Sequence, residues 1–343
     1  MQTVNTKNYT FWPWIVYPGT MALCLCLFAV LNMQELSLIL CSYVPVMLGA
    51  VIITLLEFRT PHVDGWRATS EDLRNDLTFM VVVQMLLPMF LNFLAAVAVL
   101  RLLHAGGFRP DSLWPHHWHV VLQALAVLLA ADFMRYWLHR LAHESPFLWK
   151  FHAVHHSPHK LYWVNVGRFH PVDKTLQFLC DALPFIIVGI SEDVLALYFV
   201  FYAVNGFFQH SNVEMRLGLL NFLISSAELH RWHHSREPTE ANRNYGNNII
   251  VWDLLFSTYF LPRDRHVGAL GLRNTSYPQD FSSQMKTPFS LEIDQRPALL
   301  SDYRSLVLNA LLWLRMKSIR RRLYLPLQHA AMKVKDTQWL VLQ

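Results

Sequence analysis

Residues 139–156, with the sequence HRLAHESPFLWKFHAVHH, carry five histidines at helical spacing, and LHRWHH follows at residues 229–234. On a helix, residues three and four apart share a face, so His139 and His143 form one stripe and each His-x-x-His-His triplet presents three imidazoles on another. This spacing predicts three histidine-bearing helices whose imidazoles converge.

The histidines of this region form an ordered series that is too large for one metal ion. A neutral imidazole binds iron, copper, nickel or zinc, and one metal ion rarely takes more than about six ligands. Eight to ten convergent histidines therefore predict a site for two metal ions. The candidate ligands are His139, His143, His152, His155, His156, His170, His210, His230, His233 and His234.

The same segments resemble the fatty acid hydroxylase/sterol desaturase superfamily, which consists of membrane di-iron oxygenases. The motif set is specific to the superfamily but not to a substrate. It comprises DFMRYWLHRLAHE (132–144), FHAVHHSPHKLYWVN (151–165), RFHPVD (168–173), QHSN (209–212), ELHRWHH (228–234) and NYGNNIIVWDLLFSTYF (244–260).

The resemblance implies two iron ions, dioxygen as co-substrate and a separate electron donor, which would be a cytochrome b5-like protein, a ferredoxin or a reductase. His210 matches a further ligand position of the family, and His170 matches a histidine of its RxHP variant that either binds metal or lies beside the ligands. The eight-histidine signature, which we expect to be catalytic, is matched by His139, His143, His152, His155, His156, His230, His233 and His234.

Each metal-bound imidazole needs an acceptor that orients its second nitrogen. Asp132 lies two helical turns before His139 and so shares its face. The predicted acceptors are Asp132, Asn165, Glu228 and Asp253, with Asp173 and Asn244 as further candidates. Helix capping or loop solvation is the alternative explanation for each of them.

The composition indicates a polytopic membrane protein. Of the 343 residues, 53% are hydrophobic and 15% are charged, whereas soluble domains carry about 25% charged residues. The four cysteines lie in apolar runs, so we predict no disulfides. The net charge of +5 is not gathered in a basic stripe, which argues against nucleic-acid binding.

We predict an all-α fold with about four transmembrane helices, a short apolar helical hairpin and a histidine-rich helical cap at the cytoplasmic face. A spanning helix needs about 20 apolar residues. The predicted spans are 14–33, 36–56, 77–100 and 118–138, and the hairpin is 176–209. Residues 244–260 are too short for a span and are expected to form an interfacial or core-packed helix.

The chain divides into transmembrane helices with their loops (1–110), a catalytic domain (111–262), and a polar loop with an amphipathic basic helix (263–343). In that helix, expected at 302–325, Arg320, Arg321 and Arg322 fit anionic headgroups or a solvated face. Lys and Arg are biased toward the histidine side. The bias predicts a cytoplasmic site in the bacterial inner membrane, or in the endoplasmic reticulum of a eukaryote.

The leading hypothesis for function is an oxygen-dependent di-iron oxidoreductase that hydroxylates or desaturates an apolar lipid. The lipid, which would be a sterol, a fatty acyl chain or an alkylglycerol, would enter from the bilayer. An acyl-lipid desaturase is the alternative within enzymes, and its first histidine motif has a longer spacing. A metal transport or storage protein is the alternative class, in which histidines sit at mid-span; here they lie beyond the apolar runs.

Overall fold

The computed structural model describes residues 11–107 and 113–290, and this part of the chain is helical, with three isolated β-bridges and no strand. Within these two ranges, four helices are long and apolar enough to cross a membrane. They are α1 (Trp12–Met33), α2 (Leu38–Arg59), α3 (Ser70–Leu103) and α4 (Val120–Glu144). The predicted all-α fold with four spans is confirmed. The helix α4 is longer than the predicted span and carries both His139 and His143.

Shorter helices build the region around the histidines. They are α5 (Pro146–His156), α6 (Pro171–Asp181), α7 (Leu183–Ile187), α8 (Glu192–His210), α9 (Ala227–His233), α10 (Pro238–Ala241), α11 (Val251–Leu255) and α12 (Phe281–Gln284). Single 3₁₀ turns occur at Asp64–Trp66, Trp163–Gly167, Gly218–Phe222 and Thr287–Phe289.

The predicted hairpin is formed by α6 and α7 on one side and α8 on the other. The chain reverses at residues 188–191, where Gly189 has a φ of +74°, a conformation that glycine adopts without a Cβ clash. Glu192 and Asp193 follow in the first turn of α8, where their charges favour the helix amino terminus. The helix α8 then packs against α1, α2 and α4 and ends at His210.

The main hydrophobic core lies where α1, α2 and α8 meet. Its buried members include Tyr17 from α1, Ile53 from α2 and Val204 from α8. The Tyr17 hydroxyl donates to Asn205 Oδ1 at 2.8 Å, so the one polar group of this ring is satisfied in an apolar setting. All four cysteines are unbridged, as predicted.

The expectation of a helix across residues 244–260 is wrong for most of the segment, because only Val251–Leu255 is helical. The Asp253 carboxylate accepts hydrogen bonds from the backbone N–H of Tyr245 and of Gly246, both at 2.7 Å, and from the Thr258 hydroxyl at 2.6 Å. These hydrogen bonds hold the chain on both sides of Asp253 in a loop around its buried carboxylate. The predicted helix at 302–325 lies outside the described residues.

Candidate metal centre

Nine of the ten predicted histidines come together in two buried groups at the end of the bundle where α2 and α4 terminate. Within each group, the candidate ligand atoms all lie within 4.8 Å of one another. The first cluster consists of His139, His143, His152, His156 and His233. The second cluster consists of His155, His210, His230 and His234.

The two histidine triplets are each divided between the clusters. On α5, His155 and His156 are consecutive and therefore point about 100° apart. His155 joins the second cluster and His156 the first. The clusters adjoin each other, because the rings of His156 and His234 stack with centroids 4.5 Å apart. Each triplet therefore contributes to both clusters, which its shared helix face did not predict.

Acceptors fix the orientation of the imidazoles in the first cluster. The Nδ1 atom of His139 donates to the carbonyl oxygen of Tyr245 at 2.8 Å. His233 Nδ1 donates to the Arg243 carbonyl oxygen at 2.8 Å. The predicted candidate Asp173 accepts from His152 Nδ1, also at 2.8 Å.

A similar arrangement holds for three further histidines. Asn165, for which an orienting role is predicted, has its Oδ1 2.8 Å from His210 Nδ1. The Arg168 carbonyl oxygen lies 3.3 Å from His155 Nδ1. In the first cluster, His143 Nδ1 lies 3.0 Å from Asn242 Oδ1. The sequence did not predict Asn242 as an acceptor, and no sequence motif identifies which backbone carbonyls act as acceptors.

These acceptors determine the tautomers and so the chemistry of the clusters. A carbonyl or carboxylate oxygen at Nδ1 requires the proton there, which leaves Nε2 with a lone pair. His143 Nε2 lies 3.0 Å from His156 Nε2, and His230 Nε2 lies 3.0 Å from His210 Nε2. The Nε2 atoms of His139 and His152 are buried and have no hydrogen-bond partner among the described residues. Converging lone pairs of this kind fit metal cations.

Burial keeps these imidazoles in the neutral form that binds metal. It lowers the pKa of His155, His156, His230 and His234 well below the ordinary value, and neighbouring histidines lower it further. Because a charged imidazole would have to be desolvated without a counterion here, the neutral form is strongly preferred.

Three of the predicted orienting carboxylates are found elsewhere. Within the described chain, Asp132 accepts from the backbone N–H of Asn248 and of Ile249 at 2.7 and 2.6 Å and contacts no imidazole. Glu228 accepts from Leu217 N at 2.6 Å. Asp253 accepts from the backbone of the loop that carries the Tyr245 carbonyl. The further candidate Asn244 donates to the carbonyl oxygens of two loop residues. The three carboxylates therefore accept hydrogen bonds from backbone N–H groups rather than from histidines.

His170 belongs to neither cluster. Its Nδ1 accepts from Val172 N at 3.1 Å, so its side chain caps the amino terminus of α6. Its ring packs against Phe151, with centroids 5.0 Å apart. The structure therefore places His170 as a capping residue, whereas its sequence motif suggested either a ligand or a residue beside the ligands.

A cavity of about 610 Å³ extends from the clusters between α2, α3 and α8. His139, His152 and His210 line one end. The walls are mainly apolar and include the aromatic rings of Trp163 and Phe207. The volume falls within the range of about 300–1,000 Å³ that is usual for ligand pockets.

The cavity reaches the outer surface of the helical bundle. Ile39, Met47 and Met89 line it and are also exposed on the surface that the spans present to their surroundings. An apolar molecule could therefore reach the clusters from the bilayer without crossing water.

Together, a bundle of candidate spans, two histidine clusters and an apolar cavity define a membrane-embedded metal-dependent enzyme. Residues 124–258 match the fatty acid hydroxylase family model. The chain belongs to the fatty acid hydroxylase family, a family of metal-dependent oxygenases. The expected family and oxidoreductase class are confirmed, and relatives named as lipid hydroxylases are consistent with the expected action on an apolar lipid.

Two relatives illustrate the range of the family. The ornithine lipid hydroxylase OlsE of Rhizobium tropici is 33% identical over 243 residues, which cover 70% of this chain and 72% of the relative. The alkylglycerol monooxygenase of Danio rerio is 30% identical over 142 residues, which cover 41% of this chain and 31% of that longer relative. No solved structure matches the chain significantly.

Proposed function

We propose that each histidine cluster holds one iron ion and that the chain uses dioxygen to hydroxylate a membrane lipid, with electrons from a separate donor. The observation that carries the proposal is the set of nine converging imidazoles, six of which have their Nδ1 atoms occupied by acceptors. Nine ligands exceed the capacity of one ion. A redox-active metal pair, when bound, would supply the electrons that dioxygen accepts one at a time.

The protein side chains contribute positioning and insulation. Asp173, Asn165 and the loop carbonyls hold the rings so that Nε2 faces the metal positions. The apolar cavity walls would hold the lipid chain and exclude water from the oxidised carbon. Zinc is redox-silent and would not support an oxygenase, which is why we propose iron.

The substrate proposal follows the relative whose match covers 70% of this chain. That protein is named for hydroxylation of an ornithine lipid, so ornithine lipids are the first candidates to test, followed by alkylglycerols. Desaturation of an acyl chain is the alternative outcome of the same assay. A transport role is disfavoured because the clusters are buried beyond the middle of the spans.

We further propose that the clusters face the cytoplasm, in the inner membrane of a bacterium. The Lys and Arg bias of the loops supports this orientation. A cytochrome b5-like protein, a ferredoxin or a reductase could then reach the site from the cytoplasm.

Iron content and product analysis test the proposal together. Anaerobically purified wild-type protein should hold about two iron ions per chain, and reduction followed by isotopically labelled dioxygen should place one labelled oxygen atom in the lipid. His152→Ala in the first cluster and His234→Ala in the second should each lower the iron content and abolish the product.

The matched control is His117→Ala, because His117 is an exposed histidine on the loop before α4. It should retain full iron and full activity. A wild-type stoichiometry of one ion with all nine histidines ordered would refute the two-iron proposal.

A further inference from the structure

Arg135 is a buried cation in the wall of the cavity, with only 6% of its surface exposed. Its Nη2 donates to Asn247 Oδ1 at 3.2 Å. Asp181 forms an ion pair with Arg135, but its carboxylate lies 3.6 Å from Nε, which is too far for a hydrogen bond. In the described part of the chain, Nε and Nη1 have no hydrogen-bond acceptor. A buried arginine with two unused donors is unfavourable unless something else occupies them.

Asn247 adds a third unused donor beside Arg135. Its Nδ2 is buried without an acceptor among the described residues, and its Oδ1 is already bound by the arginine. The backbone around it is fixed: Gln209 Nε2 donates to the Asn247 carbonyl oxygen at 2.6 Å, and Asp132 holds the neighbouring Asn248. The three nitrogens therefore form a rigid group of donors at the cavity wall.

Asp173, an acidic residue that also lines the cavity, is already engaged in other contacts. Asp173 accepts from His152 at 2.8 Å and from Gln177 at 3.1 Å. Lys174 Nζ donates to Gln177 at 3.4 Å and adds a second cation to this region. Neither Asp173 nor Asp181 supplies an acceptor at hydrogen-bond distance to the unused donors of Arg135.

The donors lie at the metal end of the cavity. Arg135 precedes His139 by four residues on α4, a spacing of about 5–6 Å between Cβ atoms. Glu192, at the opposite end, is about 27 Å from His210 along α8, from a rise of 1.5 Å per residue. Its carboxylate would repel an anionic headgroup, so the two ends of the cavity favour opposite parts of a lipid.

We propose that Arg135 and Asn247 bind a carboxylate or carbonyl oxygen of the lipid substrate, with the hydrocarbon chain extending along the apolar part of the cavity. The inference rests on the proposed function and deepens it by specifying the substrate class and the position oxidised. The enzyme acts on an acyl lipid whose oxidised carbon lies within a few bonds of this oxygen. It does not act at the far end of the chain.

Binding of three matched probes tests the subsite. Hexadecanoic acid, its methyl ester and hexadecane share one chain length and differ only in the acceptor. Retention of each probe by iron-loaded protein in detergent micelles, quantified by mass spectrometry, should show tighter binding of the acid and ester than of hexadecane. Arg135→Met should weaken binding of the acid roughly tenfold or more and leave hexadecane unchanged.

Two further variants separate binding from folding. In Asn247→Asp, the new carboxylate would pair with the unused donors of Arg135, so the fold is retained while the acid probe is repelled more than the ester. Arg140→Met is the matched control on the same helix, because Arg140 donates to Glu144 and Tyr136 and does not line the cavity. It should leave the acid-to-hexadecane ratio unchanged.

The outcomes also distinguish the subsite from the proposed function. Equal binding of all three probes by wild type, or unchanged binding in folded Arg135→Met and Asn247→Asp, overturns the subsite whatever the activity. Arg135-dependent binding without any oxygenated product supports the subsite and refutes the hydroxylase. A product hydroxyl at the methyl end of the chain supports the hydroxylase and overturns the subsite. A loss confined to the acid, with the ester retained, identifies a carboxylate as the ligand.

Discussion

The Asp173 carboxylate lies 2.8 Å from His152 Nδ1 and thereby fixes which nitrogen of that imidazole faces the first cluster. Its second oxygen accepts from Gln177 one turn further along α6, at 3.1 Å. The hairpin that begins with α6 is therefore joined directly to the candidate metal centre.

Removal of this carboxylate should weaken metal binding without removing a ligand. We expect Asp173→Ala to lower iron affinity or activity by roughly 10- to 100-fold, the usual effect of losing an orienting acceptor. Iron titration of the apo-protein measures it. Asp280→Asn is the control, since this exposed residue caps α12 and asparagine also caps helices well. Equal iron affinity in Asp173→Ala and wild type would contradict the orienting role.

The buried pair of His62 and Glu214 should make stability depend on pH. Burial, and then the charge of Arg231, lower the pKa of His62 to about 4, while its contact with Glu214 at 2.6 Å opposes that shift. His266 also lowers it. The unfolded histidine has a pKa of about 6.5, so below that value the unfolded chain binds a proton that the folded chain refuses.

The stability contributed by neutral His62 is therefore present above about pH 6.5 and is lost as the pH falls toward 4. One proton gives a slope of at most about 1.4 kcal/mol per pH unit. His62→Gln retains a donor for Glu214 but cannot titrate. Its unfolding transition should shift less than that of wild type between pH 6.5 and 4.5. Parallel shifts in both proteins would show that His62 is not the titrating group.

Substitution of His170 should affect helix stability rather than metal content. His170 accepts from Val172 N and caps α6, so His170→Ala should cost about 1 kcal/mol of stability. His170→Asn should recover most of that loss, because asparagine is a preferred cap. Both variants should retain full iron. Loss of iron from His170→Asn would instead support the ligand role that its sequence motif suggested.

Cysteine labelling tests the proposed orientation in the membrane. In a background without the four native cysteines, a cysteine at Thr239 or Glu237 should react with an impermeant reagent only from the cytoplasmic side. Cysteines at Gln34 or His117, at the other ends of the spans, should react only from the opposite side. All four positions are exposed in the structure. Labelling of Thr239→Cys and His117→Cys from one side would contradict the arrangement.

Local sequence determined the helices, the class of the protein and the residues that form its candidate centre. Apolar runs of spanning length predicted the four long helices, because hydrogen-bond satisfaction in lipid leaves few alternatives. The histidine spacing predicted α5 and α9 as carriers of imidazoles, because the helical period is fixed by backbone geometry. His210 was also found, although α8 lies far from the triplets in sequence.

Tertiary structure alone decided how these parts combine. It divided each triplet between two clusters, because consecutive residues on a helix point in different directions. The packing of the surrounding helices determines which cluster each imidazole joins. It chose the Tyr245, Arg243 and Arg168 carbonyls as acceptors, which no sequence could indicate, since every residue has the same carbonyl. It likewise assigned Asp132 and Glu228 to backbone donors, because these contacts join segments remote in the chain. It also left two donors of Arg135, a residue that lines the cavity, without an acceptor among the described residues.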